Sequence, residues 1–264
     1  MIPIALTIGG SDPSGGAGVQ ADLKTFHRFG VYGEAVITLI TVQNSVRVSQ
    51  VETLAPELIA GQIDAVLQDM PPHAAKTGAL GSREIVEKMA QLAELFQFPL
   101  VVDPVMISKH GTRLLADDAV RALAAKMIPR AYLLMPNLDE ASALTGMRVH
   151  DRDSMVRAAS QLVRMGAANV LVKGGHLEGD PVDILYTREG AVQDFATTRL
   201  PAKHTHGTGC TYSSAITAEL AKNTPLVTAI RRAKSFVYEA IRSAPGLGEG
   251  NGPLNHWAIS GDSS

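Results

Sequence analysis

A single cysteine, Cys210, stands among 264 residues. No intrachain disulfide can form, and zinc sites built on several thiolates are excluded. Aromatic residues are only 5% of the chain, too few for a platform on which bases stack. Neither sign of charge is in excess: 24 Lys and Arg face 26 Asp and Glu, for a net charge of −2. A protein that lives on phosphodiester backbones carries a basic excess or stripe, so neither nucleic acid nor an anionic membrane surface is an expected partner. No apolar run approaches the roughly 20 residues that span a bilayer. The opening MIPIALTIGGSD has no basic segment and too short an apolar run for a secretion signal. A cytoplasmic, reducing location is expected.

What is present is an ordinary globular mixture, 45% hydrophobic and 19% charged, in a length that suits one large domain over 1–264. Short apolar runs alternate with helical patterns. Strands are expected at 3–8, 35–42, 74–76, 99–102, 131–135 and 169–172, and a hairpin at 182–187 and 191–195. Helices are expected over the ADLKTFHRF segment, where Leu23, Phe26 and Phe29 share helical spacing, and at 56–68, 83–96, 116–127, 139–144, 154–165, 208–221 and 225–243. This alternation predicts an α/β fold, a mostly parallel central sheet with helices on both faces. Ligands of such sheets sit at the C-terminal strand ends. The glycine-rich and polar segments 9–18, 43–45, 76–78, 103–112, 136–140, 173–176 and 204–211 all fall there.

Among them, HTHGTGCTYSSAI at 204–216 places Gly207, Thr208, Gly209 and Cys210 at the start of a helix expected to be amphipathic. Free N–H groups and the helix dipole bind anions at such a terminus, although a flexible helix start reads equally well. No G-K-[ST] follows, so it is not a Walker A loop. A thiol in a first helical turn is expected to have a lowered pKa; the alternative for Cys210 is a small buried filler. The segment GSDPSGGAG at 10–18 lacks G-x-G-x-x-G spacing. Its Asp12 suits a hydroxyl or amine on a small substrate, or else closes an Asx turn. Asn137 and Glu140 share one face of a first turn and suit Mg²⁺ held with phosphates, or equally a capping box. Asp103 follows a buried strand and is a cap or a site carboxylate. Lys173 emerges into a double glycine, where its charge could meet a phosphate. Gln43 ends a strand with an amide that can read a heterocycle edge. His204 and His206 lack metal-ligand spacing, and His27 reads as surface or core.

Together GSDPSGGAGVQADLKTF, TVQNS, KTG, DPVM, PNLDEA, VLVKGGH, HTHGTGCT and the closing GxGxGP, spread over about 4–256, resemble the hydroxymethylpyrimidine/phosphomethylpyrimidine kinase family of thiamine biosynthesis, within the ribokinase-like superfamily. The resemblance implies a ribokinase-like domain without a separate lid, a homodimer, ATP as co-substrate and Mg²⁺. It implies two successive phosphorylations, of hydroxymethylpyrimidine and of its monophosphate. By the same resemblance Gln43 pairs with the aminopyrimidine and Asp12 lies near the substrate. Gly207, Gly209 and Cys210 form the anion hole, with Cys210 as base or wall. Thr208, Asp103 and Lys173 surround the phosphates, and Asn137 and Glu140 hold Mg²⁺ and phosphate. Adenine contacts are expected from the last two helices and the hairpin. Many members carry methionine against the pyrimidine where this chain has Ala79. Related enzymes that phosphorylate pyridoxal or pyridoxine are therefore the alternative. A non-catalytic sensor and a nicotinamide-dependent oxidoreductase are further readings, which the anion-hole set and the missing fingerprint oppose.

Overall fold

Strand β1 (Ile4–Ser11) is buried along six of its eight residues, the signature of a strand covered on both faces. It is the third strand of a nine-stranded sheet of order β3-β2-β1-β4-β5-β6-β7-β8-β9. The other strands are β2 (Tyr32–Gln43), β3 (Val48–Thr53), β4 (Ala74–Thr77), β5 (Leu100–Val102), β6 (Leu133–Leu134), β7 (Asn169–Val172), β8 (Val182–Thr187) and β9 (Val192–Ala196). Neighbours from β2 through β7 run parallel, while β3 and the β8–β9 hairpin add antiparallel edges. The structure, a computed structural model, describes residues 2–108 and 111–259. Two positions of the expected 103–112 loop, 109 and 110, lie outside it, as do 1 and 260–264 at the ends of the expected domain.

The eight α-helices are α1 (Gly18–Arg28), α2 (Pro56–Asp69), α3 (Arg83–Leu92), α4 (Asp117–Ala122), α5 (Leu138–Thr145), α6 (Arg152–Arg164), α7 (Thr208–Ala221) and α8 (Leu226–Arg242). Strand side chains alternate between two cores. Leu6 and Ile8 of β1 pack with Ile59, Ile85, Met89 and Leu162 on one face. Ala5 packs with Phe26, Ile216, Ile230 and Phe236 on the other.

Three expectations change. Strand β3 was not foreseen: its Val-Ser-Gln-Val-Glu-Thr run is half-exposed to exposed throughout, so it carries no burial pattern and exists through its ladder with β2. The helix expected over 116–127 is α only to Ala122, then widens to a π-turn and tightens to 3₁₀ around Pro129, whose ring supplies no N–H to continue the ladder. Helix α7 is not amphipathic. Every residue from Thr211 to Ala221 is buried. Small side chains permit that, and its hydroxyls bond back to its own carbonyls, Ser213 Oγ to Gly209 O (3.0 Å) and Thr217 Oγ1 to Ser213 O (2.7 Å).

Glu34 on β2 is 7% exposed, and neither carboxylate oxygen has a hydrogen-bond partner among the described residues. Burial, aided by the charge of Asp69, pushes its carboxyl up to about 7. A raised acid is bound to its proton in the folded state, so its contribution to stability is complete below pH 4.5 and is lost as pH rises through about 7. Glu34→Gln is expected to raise stability at pH 8 by about 1–2 kcal/mol and to flatten the pH dependence between pH 5 and 8, read from urea midpoints.

Candidate active site

The C-terminal strand ends enclose a cavity of about 810 Å³. Gly9 and Gly10 after β1, Gln43 of β2, Lys76, Gly78 and Ala79 at β4, Asp103 after β5, Asn137 and Glu140 after β6, and Lys173 after β7 line it together with the start of α7. The loops expected from the sequence to meet do meet.

Gly207 is the N-cap of α7, in the left-handed region at φ 79°, without a side-chain cap. A Cβ there would collide with the carbonyl oxygen of Gly16, so only glycine lets the 12–18 loop lie against this turn. The first ladder bond of α7 runs from Thr211 N–H to Gly207 O (2.8 Å). The N–H groups of Gly209 and Cys210 precede it, without a partner among the described residues, at the positive end of a 14-residue helix. A Cβ built on Gly209 would lie 3.6 Å from Asp103 Oδ2 and 3.7 Å from Lys173 Nζ. The uncapped turn, the lysine and the aspartate therefore face one small volume.

Lys173 Nζ lies 2.6 Å from Asp103 Oδ1. Burial opposes the Lys173 charge, but Asp103 and then Glu140 outweigh it and hold its pKa above the usual value. Burial raises the Glu140 carboxyl, and Lys173 opposes that rise. Asn137 and Glu140 do form a capping box: Glu140 N–H donates to Asn137 Oδ1 (2.9 Å) and Asn137 N–H donates to Glu140 Oε2 (2.8 Å). The box aims both side chains at the cavity edge, so capping and ligand contact are compatible.

Two expectations are corrected. Asp12 turns its carboxylate into its own loop, accepting from Ser14 N (2.9 Å), Ser14 Oγ (2.7 Å) and Ala17 N (2.9 Å). It is 3% exposed and is not among the residues lining the cavity: it closes a turn. Cys210 was expected to ionise easily. Burial instead pushes its thiol up to about 11, against the opposing charge of Lys76. Desolvation exceeds the lowering by Lys76 and by the hydrogen bond from the Gly18 backbone, so near pH 7 it is a neutral thiol. Its iodoacetamide alkylation at pH 8 is expected to run at least about 100-fold slower than that of free cysteine, and to climb steadily towards pH 11.

Three features escaped the sequence reading. Lys76, wholly buried on β4, pairs with Asp22 of α1 at 2.8 Å. Thr7 Oγ1 and Ser214 Oγ both donate to Asp22 at 2.6 Å. A lysine inside the apolar run Ala-Ala-Lys-Thr was the available signal. Burial opposes the Lys76 charge, but Asp22, then Cys210 and Asp103, raise its pKa. His206, read as weak, lies with Nε2 2.8 Å from Asp12 Oδ2 and 3.0 Å from the Gln43 amide. Finally, Lys234 of α8 pairs with Asp183 of β8 at 2.7 Å, and Asp183 accepts from Gly174 N–H (2.9 Å), tying down the loop after Lys173. Leu200, Tyr212, Val237, Tyr238 and Ile241 add apolar lining to the cavity on the side of α8.

This arrangement has relatives. A bifunctional thiamine biosynthesis protein ThiED of Geobacter sulfurreducens is 49% identical over 253 residues, 95% of this chain; the chain spans about half (51%) of that protein's length. A hydroxymethylpyrimidine/phosphomethylpyrimidine kinase of Bacillus subtilis is 44% identical over 258 residues, 97% of this chain and 95% of that protein. The structure of a pyridoxal kinase from Staphylococcus aureus in complex with AMP-PCP and pyridoxal superposes with a TM-score of 0.89 at 32% identity, covering 98% of this chain and 95% of that one. The sequence profile described as phosphomethylpyrimidine kinase matches residues 12–255, from the Asp12 turn past the last helix. With the motif order, the ribokinase-like sheet and the uncapped α7 turn all in agreement, the chain belongs to the phosphomethylpyrimidine kinase family.

Proposed function

We propose that the chain transfers the γ-phosphoryl group of ATP to the hydroxymethyl group of 4-amino-5-hydroxymethyl-2-methylpyrimidine, and then to the monophosphate so formed. The observation that carries this is the uncapped turn of α7 beside Lys173 and Asp103. Phosphoryl transfer through a loose transition state asks the protein for position and charge neutralisation more than for covalent work. The Gly209 and Cys210 N–H groups and the Lys173 ammonium would take up charge on the equatorial oxygens. Thr208 borders the same oxygens. Cys210, neutral and walled in, serves as part of the anion hole and not as base. The apolar lining on the side of α8 is the place for the adenine.

The donor set fits magnesium. Glu140 and Asn137 offer hard carboxylate and amide oxygens at the cavity edge, a sparse set that suits an ion bound with phosphate oxygens and water instead of in a protein cage. Glu140 and Asn137 would hold it; bound there it would neutralise charge on the phosphates. In this reading 1–264 is one domain. The exposed Tyr32, Ile40, Val42 and Val46 along β2 and its following turn favour a homodimer across that face. No described helix is long and apolar enough to cross a membrane, in keeping with a cytoplasmic enzyme.

The second reading, pyridoxal phosphorylation, draws on the Staphylococcus aureus likeness and on Ala79, which leaves room beside the ring. ADP release from Mg-ATP with each compound separates the two. The expected result is kcat/KM at least about 10-fold higher for the pyrimidine, with pyrophosphate ester accumulating. Preference for pyridoxal would assign the protein to the second reading, and no turnover with either would end both.

A further inference from the structure

Resting on the pyrimidine reading, one pair of contacts defines the recognised ring edge more closely. The Nε2 atom of His206 is shared. Asp12 Oδ2 lies 2.8 Å away, and the amide atom placed as Gln43 Nε2 lies 3.0 Å away. Burial opposes ionisation of Asp12, but His206 and Ser14 outweigh it and hold its carboxyl below the usual range. A carboxylate only accepts, so Nε2 must carry a hydrogen in either the neutral or the charged imidazole. The amide atom facing that hydrogen must then also be an acceptor. Amide oxygen and nitrogen are alike in shape, and the hydrogen-bond network decides between them. With the nitrogen towards His206, two donors would oppose one another at 3.0 Å; with the oxygen there, the N–H is shared between two acceptors.

The imidazole has little freedom to escape this. His206 N–H donates to Gly252 O (3.2 Å). A Cβ on Gly16 would lie 2.6 Å from His206 Cδ2 and 3.3 Å from Pro253 Cβ, so that glycine admits the ring and packs against it. Asp12 is fixed by its three loop donors.

We infer that Asp12 and His206 act as positioning residues that lock the Gln43 amide with its oxygen on the imidazole and its NH2 group towards the cavity, so that the site selects a ring edge presenting an acceptor nitrogen next to an exocyclic amine. The NH2 group donates to the ring nitrogen. The exocyclic amine donates to the second lone pair of the amide oxygen. A 4-oxo ring, with N–H and carbonyl in place of nitrogen and amine, presents the reverse pattern and is rejected.

The test is calorimetric binding of the 4-amino compound and its 4-oxo counterpart, each without nucleotide, with thermal melting to confirm that each variant is folded. The wild-type chain is expected to prefer the amino compound by about 10- to 100-fold, the effect of mispairing one or two buried polar groups. In His206→Phe the amide is released, and the ratio should fall to about 3-fold or less. Gln43→Glu, which keeps an acceptor for His206 and loses the donor, leaves each ring with one matched and one mismatched group, and the ratio should fall to about 3-fold or less. If His206→Phe does not fold, Asp12→Asn, which removes the carboxylate that holds the hydrogen on Nε2, decides by the same fall in ratio. Equal or tighter oxo binding by the wild type, or an unchanged ratio in the folded variants, overturns the inference. Its failure is separable from that of the kinase reading. ADP formation without ring discrimination sinks only the positioning role; discrimination without ADP formation sinks only the kinase.

Discussion

Lys173→Met is expected to lower kcat by about 10³-fold while leaving the KM for the hydroxymethyl substrate within a few-fold, because the ammonium serves charge that develops in transfer and not ring recognition. Two consequences of the substitution must be separated. Lys173 lies 2.6 Å from Asp103, and Asp103 is 2% exposed, so removing the lysine also strands a buried carboxylate. Loss of stability alone would therefore be ambiguous. The double variant Lys173→Met/Asp103→Asn removes both charges and should regain most of the lost stability, since an uncompensated charge costs more than a missing pair. It should not regain turnover. If the double variant recovers both, Lys173 is only a partner for Asp103 and the phosphate role fails. Steady-state kinetics and urea melts on the same preparations decide the matter.

The largest expected change in stability lies beneath the site. Lys76 is 0% exposed and Asp22 is 1% exposed. Breaking a buried pair from one side costs about 3–5 kcal/mol. At roughly 2–4 °C per kcal/mol for a chain of this size, Lys76→Met should lower Tm by about 6–20 °C. Asp22→Asn should cost as much, because Thr7 Oγ1 and Ser214 Oγ also lose a charged acceptor. Lys76→Met/Asp22→Asn should be more stable than Lys76→Met alone. A pair whose single variants melt within 2 °C of wild type would show the charges to be solvated and the enclosed picture wrong. Activity should fall in all three variants, since Lys76 Nζ also reaches the Cys210 carbonyl (3.5 Å) and the pair ties β1, β4, α1 and α7 to one another.

The parallel sheet, its two helical layers and the edge where the loops converge were legible because apolar runs and helical periods alternate without interruption. The gathering of Lys173, Asp103, Asn137, Glu140 and the 207–210 turn followed from their placement at strand ends. What was not legible depended on partners remote in sequence. Asp12 has His206 as partner across 194 residues, and Asp22 has Ser214 across 192; no local pattern announces either. Cys210 misled for a related reason. The helix terminus is visible in the sequence, but the desolvation that raises the thiol comes from neighbours on other elements. Strand β3 was missed because a strand exposed on both faces has no hydropathy rhythm.

Helix α7 packs against α1, α8, β1, β4 and β5, and its residues are buried all round. It begins at position 208, in the last quarter of the chain, yet it covers the centre of a sheet whose first strand is made at the start of synthesis. Until the ribosome has released residues 208–242, Ala5, Ala74, Val101, Leu133 and Leu171 have no helix pair over them. A nascent chain of about 200 residues is thus a half-clad sheet with an open apolar face, the kind of species that aggregates or recruits chaperones. Shortened versions ending before α7 should be insoluble, and the protein's useful life begins only when its final helices dock.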